Sequence, residues 1–379
     1  MATVFKNARL VLPDAVVSGS LNVEGGRIAA VDDSPAAPNG ALDLDGDYLL
    51  PGLIDLHTDN VEKHYEPRPQ VYWDPVAAAV NHDAQIATSG ITTVYDSVCL
   101  GLTSKGELRS EHIRPMIDGI AQAQTTGMLR TDHRIHLRCE VTGADVLDQL
   151  TAFDNDTMIG LVSVMDHAPG QRQTADMDVW RHIKREHDGL TEDEIEREYD
   201  RLTRASRELG PTQRWAVADW SRARAFGLAS HDDQTVAHVA ESAEIGCTIA
   251  EFPTTVEAAK ASRDHGLAVL MGGPNLVRGR SSYGNITARD LAEQGLLDIV
   301  SSDYVPASML HAAFTLADTV TGWDLPRAVA TMTATPARVA GLDDRGRLEP
   351  GLRADLIRVR LVDGRPVVRG VWVAGERVV

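Results

Sequence analysis

Between residues 51 and 303 the sequence repeats one pattern eight times: a short apolar run suited to a buried strand, with helical segments between most of the runs. The runs are "GLIDLH", "ITTVYDSV", "RIHLRCEV", "MIGLVSVMDH", "FGLASHD", "CTIAEFP", "LAVLMGGP" and "LDIVSSD". Strands covered on both faces read as continuous apolar stretches, and alternation with helices implies parallel pairing through crossovers. Eight such units predict an α/β chain closed into a TIM-like (β/α)8 barrel. The rival, an open doubly wound sheet, needs a glycine-rich phosphate turn after its first strand, and "GLIDLHTDN" has none.

A barrel commonly takes about 250 residues, so 379 leave room for an accessory unit. Residues 1–50 and 341–379 both read as brief alternating strands broken by Gly and Pro, as in "AVVSGSLNVEGGRIAAVDD" and "ADLIRVRLVDGRPVVRGVWV". We therefore expect a small β-sandwich domain assembled from both chain ends, with the barrel spanning 51–340. Residues 170–215 are charged and helical, far longer than a usual barrel loop, and read as a lid or interface element or as a solvated hairpin of i,i+4 ion pairs.

The formal net charge of −18 argues against non-specific binding to nucleic acid or anionic membrane, since both need a cationic face. It leaves room for a small anion in a local basic pocket, because screening confines an exposed charge to about 8 Å. Cys99, Cys139 and Cys247 are widely spaced with no CxxC pair, which suits reduced thiols in a cytoplasmic protein. The first residues lack a cationic start followed by a long apolar run, and no stretch approaches the ~20 apolar residues of a membrane helix.

Barrel enzymes carry their chemistry at the C-terminal ends of the strands. Here strand one ends in His57 and Asp59, strand three in Glu140, strand four in Asp166 and His167, strand five in His231, Asp232 and Asp233, and strand eight in Asp303. A lone strand-end His is commonly structural and a lone Asp commonly a helix cap. Five such ends at one mouth would crowd uncompensated charges unless a cation held them, and imidazole with carboxylate is a transition-metal donor set. In "HTD" one residue separates the two donors, so both leave the strand on the same face. Glu62 and His64, just beyond, would support the site or touch substrate, or else form a loop ion pair with Lys63 or Arg68. His82, His133 and His136 read as structural.

At these residues the chain resembles the amidohydrolase superfamily, whose barrel and split β-sandwich match this layout over nearly the whole length. The resemblance implies a metal-ligand set of His57, Asp59 (where that family has a second His), Glu140 as the bridging group, His167, His231 and Asp303. It implies two ions, Zn²⁺ first, with Mn²⁺ or Fe²⁺ as alternatives. The two later His fall on strands four and five by our count, whereas the superfamily has them on five and six, so one strand is expected to be miscounted or moved. "LHTDNVEKHYEPRP", "NHDAQIATSGITTVYDS", "DHAPGQRQ" and "GGPNLVRGRSSYGN" are similar, in that order, to the branch that cleaves a ribosyl 5-triphosphate in phosphonate catabolism. The implied reaction yields the 5-phosphate and diphosphate, with Asp303 orienting a metal-activated water and receiving its proton.

A triphosphate carries about four negative charges and calls for arginine forks on neighbouring loops. Arg68, Arg172, Arg278 and Arg280 stand on such loops, with His64 nearby and Gly272 and Gly273 allowing close backbone approach. The alternatives are a deaminase or cyclic-amide hydrolase using the same hydroxide on carbon, and a catalytically inactive assembly subunit. At 5% aromatic residues with arginine on several loops, the chain favours a phosphate over a flat ring, and the inactive reading predicts lost ligands. A small polyanionic substrate and a homodimer are the expected partners.

Overall fold

The computed structural model describes residues 2–33, 40–101, 110–186, 188–281 and 284–379. Ser282 and Tyr283 of the glycine-rich loop therefore lie outside the described residues. Five strands come first: β1 (Thr3–Val11), β2 (Val16–Glu24), β3 (Arg27–Asp32), β4 (Leu42–Asp43) and β5 (Tyr48–Pro51). Eight follow: β6 (Leu53–Thr58), β7 (Ile91–Leu100), β8 (Asp132–Glu140), β9 (Ile159–Met165), β10 (Gly227–His231), β11 (Ile249–Glu251), β12 (Ala268–Gly272) and β13 (Ile299–Ser301). The last three are β14 (Leu356–Val362), β15 (Arg365–Val373) and β16 (Glu376–Arg377).

Strands β6 to β13 form one parallel sheet in sequence order. A parallel bridge between Thr58 and Asp303 joins its two edges into a barrel. All six residues of β6 are buried, as a strand covered on both faces requires. These are the eight runs read from the sequence, so none was miscounted or moved. His167 follows strand four, His231 ends strand five, and strand six ends in Glu251.

The two chain ends build a second, mixed sheet in the order β16-β15-β14-β5-β1-β2-β3, with β4 on β1. Phe5 on β1 and Trp372 on β15 are three strand spacings apart, about 14 Å in a flat sheet, yet their rings meet edge to face at 4.9 Å. The sheet therefore curls around a core of Phe5, Leu10, Leu21, Leu49, Leu356 and Trp372. It is fastened to the barrel by β5, which runs on into β6 after one residue, and by Arg345, which donates to Thr93 at 2.9 Å and to Asp132 at 2.6 Å.

Among the described residues, the long interval between β9 and β10 holds a 3-10 turn at Arg172–Thr174 and three α-helices. Met177–Glu186 and Glu192–Glu208 pair over a small core of Trp180, Ile195 and Leu202, with surface ion pairs such as Lys184–Asp188 at 2.7 Å. A third, Gly210–Ala223, packs back on the barrel. Replacing Trp372 with Ala should cost about 3–5 kcal/mol, as for other large buried aromatics; a urea unfolding midpoint equal to wild type would remove this residue from the core that joins the chain ends.

A candidate metal centre at the mouth of the barrel

The C-terminal strand ends open on a cavity of about 340 Å³, lined by His57, Asp59, Arg138, His231, Asp232 and Asp303 among others. Beneath it lies Glu251, 1% exposed. One of its oxygens accepts from His57 Nδ1 at 3.1 Å and the other from His231 Nδ1 at 3.2 Å. With Nδ1 so engaged, each imidazole presents Nε2 to the cavity. Burial opposes charge on Glu251, but the His57 charge and the hydrogen bonds from His231 and His57 outweigh it and hold the carboxyl well below its usual range. His136 is pushed down to about 3, chiefly by burial, and donates from Nδ1 to the Leu56 carbonyl at 3.1 Å.

Two groups of donors face the cavity. In the first, His57, Asp59 and Asp303 bring one ligand atom each to within 4.8 Å of one another. The second, His167, His231 and Asp232, meets the same measure, with Asp232 Oδ2 at 3.7 Å from His167 Nε2 and 3.4 Å from His231 Nε2. Three of these atoms, His57 Nε2, His167 Nε2 and Asp232 Oδ2, are buried without a hydrogen-bond partner. Unpaired buried polar atoms cost about 1–3 kcal/mol each, and nitrogen and carboxylate donors so arranged fit a divalent ion. The local field also favours a cation. Burial opposes protonation of His57, yet Glu251 and Asp59 raise it to about 10, while burial and the nearby Asp59 charge push Asp303 up to about 6.

The backbone is bent to make this possible. Asp232, Phe252 and Asp303, which follow β10, β11 and β13, all have positive φ, at 56°, 52° and 56°. Such strain in side-chain-bearing residues persists where surrounding structure enforces it. At Asp303 the enforcement is visible: its N–H donates to His57 O at 3.0 Å, and Asp59 N–H donates to Asp303 O at 2.6 Å. Gly272 makes room, since a Cβ there would lie 2.8 Å from Asp303 Oδ2.

The expected site residues divide. His57, Asp59, His231, Asp303, Gly272, Arg278 and Arg280 line the cavity, and His167 stands in the second donor group. Glu140, expected to bridge ions, is turned away from that part: it accepts from His167 Nδ1 at 2.7 Å and from Thr142 Oγ1 at 2.6 Å, so it orients His167. Arg172, expected on the phosphate, is 4% exposed and held by Asp233 and Glu241. Arg68 is exposed and pairs with Val71 in its loop, outside the cavity wall. Gly273 starts the helix Gly273–Arg278, where a Cβ would lie 2.6 Å from Ser308 Oγ, so its smallness serves packing. His64 bonds Gln85 at 3.0 Å and joins a buried chain in which Asn60 meets His82 at 3.1 Å and Asp96 bonds both His82 and His133.

Three residues around the cavity stand outside the expected set. Asp232 shows in the sequence only as a strand-end acid. Glu251 in "CTIAEFP" ends its strand as His231 does. Arg138 shares the inward face of β8 with His136 and Glu140, a signal that period-two alternation supplies.

The amidohydrolase family pattern matches residues 235–379. The alpha-D-ribose 1-methylphosphonate 5-triphosphate diphosphatase of Escherichia coli (strain K12) is 46% identical over 99% of this chain and 100% of that protein. An imidazolonepropionase of Deinococcus deserti is 34% identical over 24% of the chain and 26% of its own length. Among solved structures, N-acetylglucosamine-6-phosphate deacetylase from Pasteurella multocida aligns over 100% of the chain and 99% of its own with a TM-score of 0.65 at 14% identity, which speaks to fold alone. Gly272→Ala should leave the urea midpoint close to wild type, because its φ of −76° suits Ala, and lower turnover by on the order of 10²-fold through displacement of Asp303; full turnover would show that Asp303 needs no such close approach.

Proposed function

The chain belongs to the amidohydrolase family, in the branch of the α-D-ribose 1-methylphosphonate 5-triphosphate diphosphatases, and from that premise we infer that it hydrolyses this triphosphate to the 5-phosphate and diphosphate. The observation that carries the reading, beside full-length similarity, is the pairing of two His/carboxylate donor groups with arginines around one cavity. The groups His57–Asp59–Asp303 and His167–His231–Asp232 offer two places at which metal could be held. Imidazole with carboxylate suits Zn²⁺, which when bound lowers the pKa of water towards ~7 and supplies hydroxide at neutral pH.

The chain's own groups do the rest. Asp303 lines the cavity beside His57 and Asp59 and is placed to take a proton from the attacking water. Its backbone bonds to His57 and Asp59 fix the direction in which that carboxylate points. Arg278 and Arg280 face the same space and would hold the phosphate oxygens through guanidinium forks, with Arg278 donating to Tyr304 Oη at 3.1 Å. Attack at the α-phosphorus then expels diphosphate. The wall has three arginines and two aromatic residues among its described members, Phe252 and Tyr304, a balance suited to a polyanion. Cys99, Cys139 and Cys247 form no disulfide, which supports a reducing, cytoplasmic setting.

Phosphorus NMR of the methylphosphonate triphosphate, with Zn²⁺-loaded and chelator-treated protein, tests the reading. Metal-dependent diphosphate release is expected, and an intact triphosphate in both samples would overturn it. In the same assay Asp303→Asn should lose on the order of 10²–10⁴-fold in kcat with the fold retained, whereas Arg278→Ala should mainly raise KM. Unchanged kcat for the first, or unchanged KM for the second, would reassign the proton path or the phosphate site.

A further inference from the structure

Arg138 belongs to neither donor group, yet it touches both. Through Nη1 it donates to both oxygens of Asp59, each at 2.9 Å, and through Nη2 to His231 Nε2 at 3.2 Å. It is 9% exposed, it lines the cavity, and its Nε has no hydrogen-bond partner. A permanent positive charge thus stands where the two groups meet, since a guanidinium does not give up its proton in a protein.

Building on the metal-dependent reading above, we propose that Arg138 stands in for one of two ions: the centre binds a single divalent ion, at His167, His231 and Asp232, while Arg138 is the cation of the His57–Asp59–Asp303 group. This replaces the two-ion expectation drawn from the superfamily.

The two sets of bonds that Arg138 makes are unequal, and that inequality selects the group. Its contact with His231 is a single bond to the lone pair of an imidazole whose other nitrogen is already engaged by Glu251. An ion entering the second group displaces only that bond. In return it meets His167 Nε2 and Asp232 Oδ2, two buried atoms without hydrogen-bond partners. Glu140 already holds His167 from behind through Nδ1, so the ring is oriented to offer Nε2.

An ion entering the first group must take Asp59 from Arg138. There the guanidinium makes two charge-assisted bonds with a carboxylate, the stronger kind. Losing them would leave a buried guanidinium unpaired beside a divalent charge. The guanidinium is buried while the Asp59 carboxylate is partly exposed, so breaking this pair costs less than for a fully buried one, yet more than giving up a single bond to a neutral imidazole, and that difference separates the two groups as ion sites. His57 and Asp303 then remain free of metal, in contact with whatever occupies the cavity.

The test is zinc content per chain, measured by inductively coupled plasma mass spectrometry on full-length protein saturated with Zn²⁺ and passed through gel filtration to remove weakly held ions. Wild type should carry one equivalent, Asp59→Asn one, His167→Ala none, and Arg138→Met two. Two equivalents in wild type overturn the proposal, as does an ion lost in Asp59→Asn and kept in His167→Ala, or Arg138→Met remaining at one. Should Arg138→Met fail to fold, wild type with the Asp59 and His167 variants decides the matter. Diphosphate release is followed on the same samples. A wild type that cleaves while carrying two ions sinks the one-ion assignment alone, and one that carries a single ion without cleaving sinks the diphosphatase reading alone.

Discussion

A carboxylate buried at the end of β11 accepts from His57 Nδ1 at 3.1 Å and from His231 Nδ1 at 3.2 Å, drawing together an adjacent strand and one across the barrel. An apolar side chain in place of Glu251 would leave both donors without partners, at about 1–3 kcal/mol each. With Glu251 present, both rings are fixed in orientation and tautomer, and only Nε2 is left to face the cavity. The geometry of the donor groups follows from that one buried acid. His136 lies beside it, its Nδ1 3.8 Å from Oε1 and its pKa pushed down to about 3 by burial, and adds an imidazole rather than a fixed charge.

Barrel closure places the remaining donors. The bridge between Thr58 and Asp303 is also the seam between first and last strands, so Asp59 and Asp303, 244 positions apart in sequence, become neighbours through main-chain bonds. The accessory sheet contributes to this seam. Strand β5 leads into β6, and Gly52 N–H donates to Asp355 O at 2.8 Å, which ties the start of β6 to the C-terminal strands before it reaches His57. Both ends of the chain thereby help to set the register of the strand that carries two of the donors. Positive φ at Asp232, Phe252 and Asp303 is the local strain that aims these residues inward.

The barrel was legible because fully buried parallel strands leave continuous apolar runs, and all eight runs became strands. The site was legible only as far as strand ends reveal direction. "HTD" put His57 and Asp59 on one face, and both line the cavity. Distance was not legible. Arg138 and Glu140 share an inward face, but two residues along β8 separate a group that reaches Asp59 from one captured by Thr142 and His167. Arg172 in "PGQRQ" reads as a phosphate ligand because its partners, Asp233 and Glu241, lie 61 and 69 residues away in sequence. With both later His on strands four and five, Glu251 at the end of strand six carries no signal beyond its strand-end position.

Charge unites these observations. The whole chain carries a net charge of −18, yet one cavity gathers Arg138, Arg278 and Arg280 around a knot of carboxylates and imidazoles. Such a surface repels polyanions at large and admits one where arginines and a bound cation outweigh the local acids. The account stands or falls on Glu251 as the group that orients the donors. The direct measurement is the Zn²⁺ affinity of Glu251→Gln against wild type, by competition with a chromophoric chelator at neutral pH. The account predicts affinity about 10–100-fold weaker, as for loss of other hydrogen-bonded partners of metal-binding imidazoles, with circular dichroism unchanged. Equal affinity in a correctly folded Glu251→Gln protein would contradict it.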